Sequence, residues 1–196
     1  MAATTWQIDT VHSSITFSVR HLIIAKVRGR FTKWSGALQI DDQHPEASRV
    51  DVRIDAASVD TNEPQRDAHL RSADFLDTDH FPELTFASTR VERRGDEELR
   101  ITGDLTIRGI THPVVLEVEQ GGQIKDPWGN DRRGFAAKTT IDRKAFNVSF
   151  NQVLDTGGFA LGEKVEINLE LEAFKPAAVA APTAAPAATP ATASVN

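Results

Sequence analysis

The stretch RDAHLRSADF gathers Arg66, Asp67, His69, Arg71 and Asp74 between Arg66 and Phe75. Three kinds of chemistry suit those residue types: proton transfer by histidine and carboxylate, capture of an anion by guanidinium groups, or a lid held shut by ion pairs. Catalysis is the weakest reading, because the only hydroxyl in the stretch, Ser72, has no base placed to activate it. On a helix Arg66 and Leu70 share a face. Asp67 and Arg71 do the same in the favourable i,i+4 acid–base order, so pairing along the helix accounts for much of the charge. The favoured reading is a salt-bridged helix over one end of a larger scaffold, with headgroup contact by Arg66, His69 or Arg71 as the alternative.

The other reactive residues are dispersed. His12, His21, His44, His69, His80 and His112 show neither His-x-x-x-His nor Glu-x-x-His spacing on a predicted helix. Asp77-Thr78-Asp79-His80 offers metal-type ligands, but a solvated turn is the simpler account. His21 follows a strand near an opening, where a structural hydrogen bond is favoured over a ligand contact. There is no Cys, which removes disulfides, thiolate nucleophiles and Cys-type metal sites. GDLTIRG reads as strand and turn rather than a phosphate-binding loop, so no cofactor is expected. A net charge of −6 and a pI near 5.5 argue against a nucleic-acid partner. No apolar run reaches the roughly 20 residues of a membrane-spanning helix. MAATTWQID has neither the basic nor the apolar segment of a signal peptide, and a cytoplasmic location is expected.

A chain of 196 residues suits one domain, and the elements that must position these groups are strands. Period-2 alternation recurs in SSITFSVRH, RFTKWSGALQI, RVDVRID, ELTFAST, LRITGDLTI, VVLEVE, FAAKTTI and KVEINLELEAF. Only residues 61–75 have helix grammar, with Asn62 as cap and Pro64 in the first turn. Residues 1–175 therefore form the domain. Residues 176–196, uncharged and rich in Ala and Pro, read as a disordered tail. Eight antiparallel strands with one apolar face predict an all-β closed barrel or sandwich. Gly36, Ser88, Gly103, Ala137, Thr139 and Ala173 on the inward sets favour a lined cavity over a solid core.

The blocks WQIDTVHSSITFSVRHL, VRGRF, IDAASVDTNEPQRDAHLRSADFLD, FPELTFAST, ITGDLTIRGITHPVVLEVE, DPWGNDRRGFAAKTTIDRKAFNV and GEKVEINLELEA follow one another in an order that resembles the YceI family of polyisoprenoid-binding proteins. The resemblance spans Trp6 to Phe174 and implies an eight-stranded antiparallel lipocalin-like barrel with a helix over it, enclosing a long apolar tunnel. Many relatives carry a secretory leader, which this reading does not find here. The family's His-Gly before a threonine is Arg108-Gly109 in this chain, and its Asp-Phe-Gly reads Ala145-Phe146-Asn147.

Under this reading the ligand is a polyisoprenoid or a fatty-acid-like amphiphile. The wall residues are Phe17, Val19 and His21; Trp34 and Leu38; Val52 and Ile54; Arg66, Leu70 and Phe75; Phe86, Ile101 and Leu105; Phe135, Ala137 and Phe146; and Ile167 and Leu169. Arg20, His21, Arg66 and Arg71 would make a basic mouth for an anionic headgroup. Each buried methylene contributes about 0.8 kcal/mol, and a strand of about ten residues spans roughly 33 Å, which suits an extended chain. A non-enzymatic carrier is expected. A lipid hydrolase or isomerase in the same cavity, and a stress-response module whose cavity is incidental, are the alternatives. Edge exposure permits a homodimer without selecting one.

Overall fold

Alternating sequence becomes antiparallel sheet along most of the chain. In a computed structural model, which describes residues 3–22, 24–153 and 159–175, the strands are β1 (Thr4–Ile8), β2 (Ser14–His21), β3 (Ala25–Phe31), β4 (Trp34–Ile40), β5 (Arg49–Asp55) and β6 (Val59–Asp60). After helix α1 (Pro64–Arg71) come β7 (Glu83–Arg93), β8 (Glu98–Ile107), β9 (Ile110–Lys125), β10 (Asp131–Asp142) and β11 (Leu161–Lys175). The expected tail lies outside the described residues.

These eleven segments make eight staves, because three staves are interrupted. β11 pairs with β2 (Leu169↔Ile15) and, nearer its end, with β1 (Ala173↔Ile8). β3 pairs with β2 while β4 pairs with β1, and β6 pairs with β3 while β5 pairs with β4. The β1–β11 pairing closes the circle, giving an eight-stranded antiparallel barrel, the closed one of the two architectures that alternation leaves open and the one the family resemblance implies. The interruptions were not legible as such. Between β1 and β2 the Asp9 carboxylate accepts from the Val11 and His12 N–H groups and turns the chain out of the sheet. Between β5 and β6 a short 3-10 turn, Ala56–Ser58, is capped by the Asp55 carboxylate. β9 is far longer than VVLEVE. Its polar ends are held by ladders to β8 and β10 rather than by an apolar face.

The helix differs from its expected form. Asn62 takes a left-handed conformation (φ 59°), and Glu63 is the cap, its carboxylate accepting from the Gln65 and Arg66 N–H groups. Helical geometry ends at Arg71, short of Phe75. The expected Asp67–Arg71 ion pair does not form. Asp67 is buried and accepts from the Thr61 N–H at 2.9 Å and the Thr61 hydroxyl at 2.5 Å, while Arg71 donates to the Ala57 and Val59 carbonyls. A buried carboxylate gains more from directed donors than from a solvated ion pair. The lid is thus latched by hydrogen bonds to neighbouring turns, and His69 to Asp74 at 2.9 Å is its remaining acid–base contact.

The small inward residues mostly do not create space. A Cβ on Gly103 would lie 2.4 Å from the Phe86 ring, and one on Gly36 would lie 2.7 Å from Ile8 Cδ1. Ser88 accepts from the Val50 N–H, and Ala173 is buried in a satellite cluster with Trp6 and Leu38. Only Ala137 and Thr139 of that set face the void. What remains open is the interior that an eight-stranded cylinder leaves between medium-sized aliphatics.

Both departures from the family pattern sit in turns with left-handed backbone. Asn147 has φ 58° and follows the short helix Arg143–Phe146. Asparagine tolerates this region and alanine does not, so Asn147→Ala is expected to cost about 1 kcal/mol, with Asn147→Gly neutral or mildly stabilising. Thermal denaturation of the two variants side by side checks the order. Arg108 (φ 51°) donates to the carbonyls of both Phe75 and Asn147, so it staples the segment after α1 to that same turn.

Candidate functional site

The strands surround a partly open cavity of about 540 Å³, within the range of single-ligand pockets. Phe17, Val19 and His21 reach it from β2, Leu38 from β4, and Val52 and Ile54 from β5. Arg66 and Leu70 come from α1, Phe75 from the loop behind it, and Phe86 from β7. Ile101 and Leu105 on β8, Phe135 and Ala137 on β10, Phe146 beyond it, and Ile167 and Leu169 on β11 complete the expected set. Trp34 is the exception. It starts β4 directly after the break in its stave and packs against the main hydrophobic cluster instead of facing the void.

The strand alternation that places these side chains also fixes the two ends. At one end, Trp6 packs with Ala173 and with the cavity residue Leu38 in a satellite cluster behind the wall, and the cations of Arg133 and Lys175 lie 5.1 and 5.5 Å from its ring. At the other end, α1 and residues 143–150 form the cover. There Phe150 is a hub: its ring packs against His69 (4.9 Å) and Phe75 (5.2 Å). Leu22, Ile24, Val153 and Phe159 stay exposed at this end, while their chain neighbours His21, Gln152 and Ala160 face the cavity.

Arg143 is the wall residue that sequence reading passed over. It is 5% exposed, and it donates from Nε to the Gly162 carbonyl and from Nη1 to the Val148 and Phe150 carbonyls. Its Nη2 is buried without an acceptor. Burial pushes its pKa down, against the partial opposition of Glu163 and Asp142. The signal was available: the inward period Phe135, Ala137, Thr139, Ile141 continues to Arg143. Of the expected basic mouth, Arg66 and His21 face the cavity, whereas Arg20 and Arg71 do not line it.

Other ionisable clusters lie outside the cavity. His80 and Asp77 hydrogen-bond to each other at 2.8 Å, as a turn would. Asp9, His12 and Glu172 bring metal-type ligand atoms within 4.8 Å, but Arg132 already occupies the group: it ion-pairs with Asp9, Asp126 and Glu172. The His12 and Arg132 hydrogen bonds hold Asp9 well below the usual carboxylate range. Burial works to raise Asp126, yet Arg132, Asn130 and two backbone N–H donors bring it to about 2 from 3.8. Both carboxylates are depressed, so their contribution to stability is complete above the unfolded value of 3.8 and is lost as pH falls towards 2. His12 is raised above its ordinary 6.5 by the Asp9 hydrogen bond, so its share is present below 6.5 and fades as pH rises. Thermal melts from pH 2 to 5 should show this loss, and Arg132→Met should flatten it by removing the shared cation.

Comparison with known proteins places this cavity in context. The model of the YceI-like domain family matches residues 6–173. "Protein YceI" of Shigella flexneri is 47% identical over 137 residues, covering 70% of this chain and 71% of its own length. The crystal structure of a Campylobacter jejuni YCEI protein superposes with a TM-score of 0.69 at 32% identity, over 81% of this chain and 90% of that one. A domain from Saccharophagus degradans described as polyisoprenoid binding, and implicated in plant cell wall breakdown, shares the fold alone, with a TM-score of 0.60 at 12% identity over 87% and 98% of the two chains.

Proposed function

The chain belongs to the YceI-like family, and from that premise we propose that it holds and carries a long-chain isoprenoid or similar amphiphilic lipid inside the barrel. The observation that carries this reading is the cavity itself: apolar side chains from all eight staves, and from α1, surround one continuous void. Each methylene drawn into such walls contributes about 0.8 kcal/mol, so a chain of modest length already supplies strong driving force. Ordering costs take up the surplus, since affinities level off near −18 to −21 kcal/mol.

The hydroxyls that reach the cavity support carriage over turnover. Thr61 donates to Asp67 and accepts from Arg66, Ser48 accepts from the Asp41 N–H, and Thr16 donates to the Asn168 carbonyl. Among the described residues none of these three, nor Thr139, which also faces the cavity, hydrogen-bonds to a histidine as an activated nucleophile would. Native mass spectrometry of protein purified from its own host tests the proposal. The expected result is a complex heavier than the chain by one lipid that is recovered unchanged on extraction. Protein that is empty, or that converts the added lipid to product, would exclude a carrier.

A further inference from the structure

Charge is distributed unevenly between the cavity and the rest of the molecule. The chain has 28 Asp and Glu against 22 Lys and Arg. Yet the described residues that face the cavity include Arg49, Arg66, Arg143, His21 and His69, and no Asp or Glu at all. Four of those five stand at the end covered by α1.

Arg143 lies at the centre of that group. The Gly162 carbonyl, which its Nε holds, follows Leu161, the residue paired with His21. The Phe150 carbonyl, which its Nη1 holds, belongs to the residue whose ring packs on His69. Three carbonyls account for Nε and Nη1. They do not account for the buried Nη2, and they do not neutralise the charge. The nearby acids are engaged elsewhere, Glu163 with Lys144 and Asp142 with Lys164. A buried guanidinium whose charge Glu163 and Asp142 offset only in part is costly, and an anion entering along the bore would offset the remainder.

We propose that the cavity selects anionic amphiphiles, a lipid phosphate or a carboxylate, with the headgroup seated on Arg143 beneath the α1 end and the hydrocarbon running towards Trp6. This assignment rests on the carrier reading and adds the charge and direction of the guest. A headgroup at Arg143 lies inside the cover rather than out among Arg20 and Arg71. His21 and His69 flank it, and Arg66, committed to Thr61 through Nε and Nη2, adds positive potential.

The test uses the full chain after lipid removal, with displacement of the neutral fluorophore N-phenyl-1-naphthylamine by four probes: geranylgeranyl phosphate, geranylgeraniol, oleate and oleyl alcohol. One or both anions should bind roughly ten- to hundredfold tighter than the alcohol of the same chain, the worth of one or two charge-assisted hydrogen bonds. Preference for geranylgeranyl phosphate alone assigns a phosphate headgroup, preference for oleate alone a carboxylate, and preference for both a site that reads charge. In Arg143→Met the preference should collapse to parity with the alcohols still bound, and Arg143→Lys should keep part of it. Equal affinity of anion and alcohol in the unmodified protein overturns the assignment without any variant, and so does a preference that survives Arg143→Met. If none of the four displaces the fluorophore, the carrier reading itself falls, a result distinct from binding without preference.

Discussion

Ala137→Trp should produce a folded barrel that no longer retains lipid. Ala137 lies in mid-strand on β10, paired with Leu169 on β11 and Val118 on β9, and it faces the void. A Trp side chain brings up to roughly 250 Å² of surface into that space. Because the position borders a cavity rather than a packed core, the ring can fill it without displacing backbone, and the overpacking penalty of about 1–3 kcal/mol need not be incurred in full. Native mass spectra of the variant should show bare chain where, on the carrier reading, the unmodified protein shows a guest, with circular dichroism unchanged. Full lipid occupancy in the variant would mean that the guest does not pass Ala137.

Gly103→Val should act chiefly on stability, with a large loss. A Cβ there would meet the Phe86 ring at 2.4 and 2.6 Å and the Ala87 carbonyl oxygen at 2.7 Å. The ring borders the cavity and can turn only by intruding on it, whereas the carbonyl belongs to the paired strand β7 and cannot yield without breaking the ladder. The expected cost is about 3 kcal/mol or more, a fall in Tm of roughly 6–12 °C for a domain of this size. Gly122→Ala, where nothing lies within 4 Å, is the control and should melt with the unmodified protein. A Tm for Gly103→Val within 2 °C of that control, about the effect of 1 kcal/mol or less, would show that Phe86 has room to move.

The barrel was legible because period-2 alternation survives wherever one face of a strand is buried, as in Val50, Val52 and Ile54 on β5. What escaped were features set by hydrogen bonds rather than by burial. The chain leaves the sheet at Asp9 because one carboxylate oxygen meets two backbone donors, and α1 starts at Glu63 because Asn62 adopts a left-handed turn. The opening stretch was misjudged for the same reason: i,i+4 spacing suggested an Asp67–Arg71 pair, and the fold offered Asp67 better donors at Thr61. Arg143 escaped for a different reason. A charged residue at an inward position reads as the end of a strand, which it is, and the inward period that runs on to it was passed over because its three carbonyl partners lie outside the strand pattern.

The seam that completes the cylinder joins segments far apart along the chain. Ser13 and Glu172, 159 residues apart, exchange hydrogen bonds where β1 and β2 meet β11. During synthesis the first stave must therefore wait, unpaired on that edge, until the last has left the ribosome. Loop-closure entropy at such a separation is lost before the contact repays it, which puts the protein among slow, millisecond-to-second folders. The waiting edge, Ile15, Phe17 and Val19 among its side chains, is where a nascent copy would associate with another copy if folding were delayed.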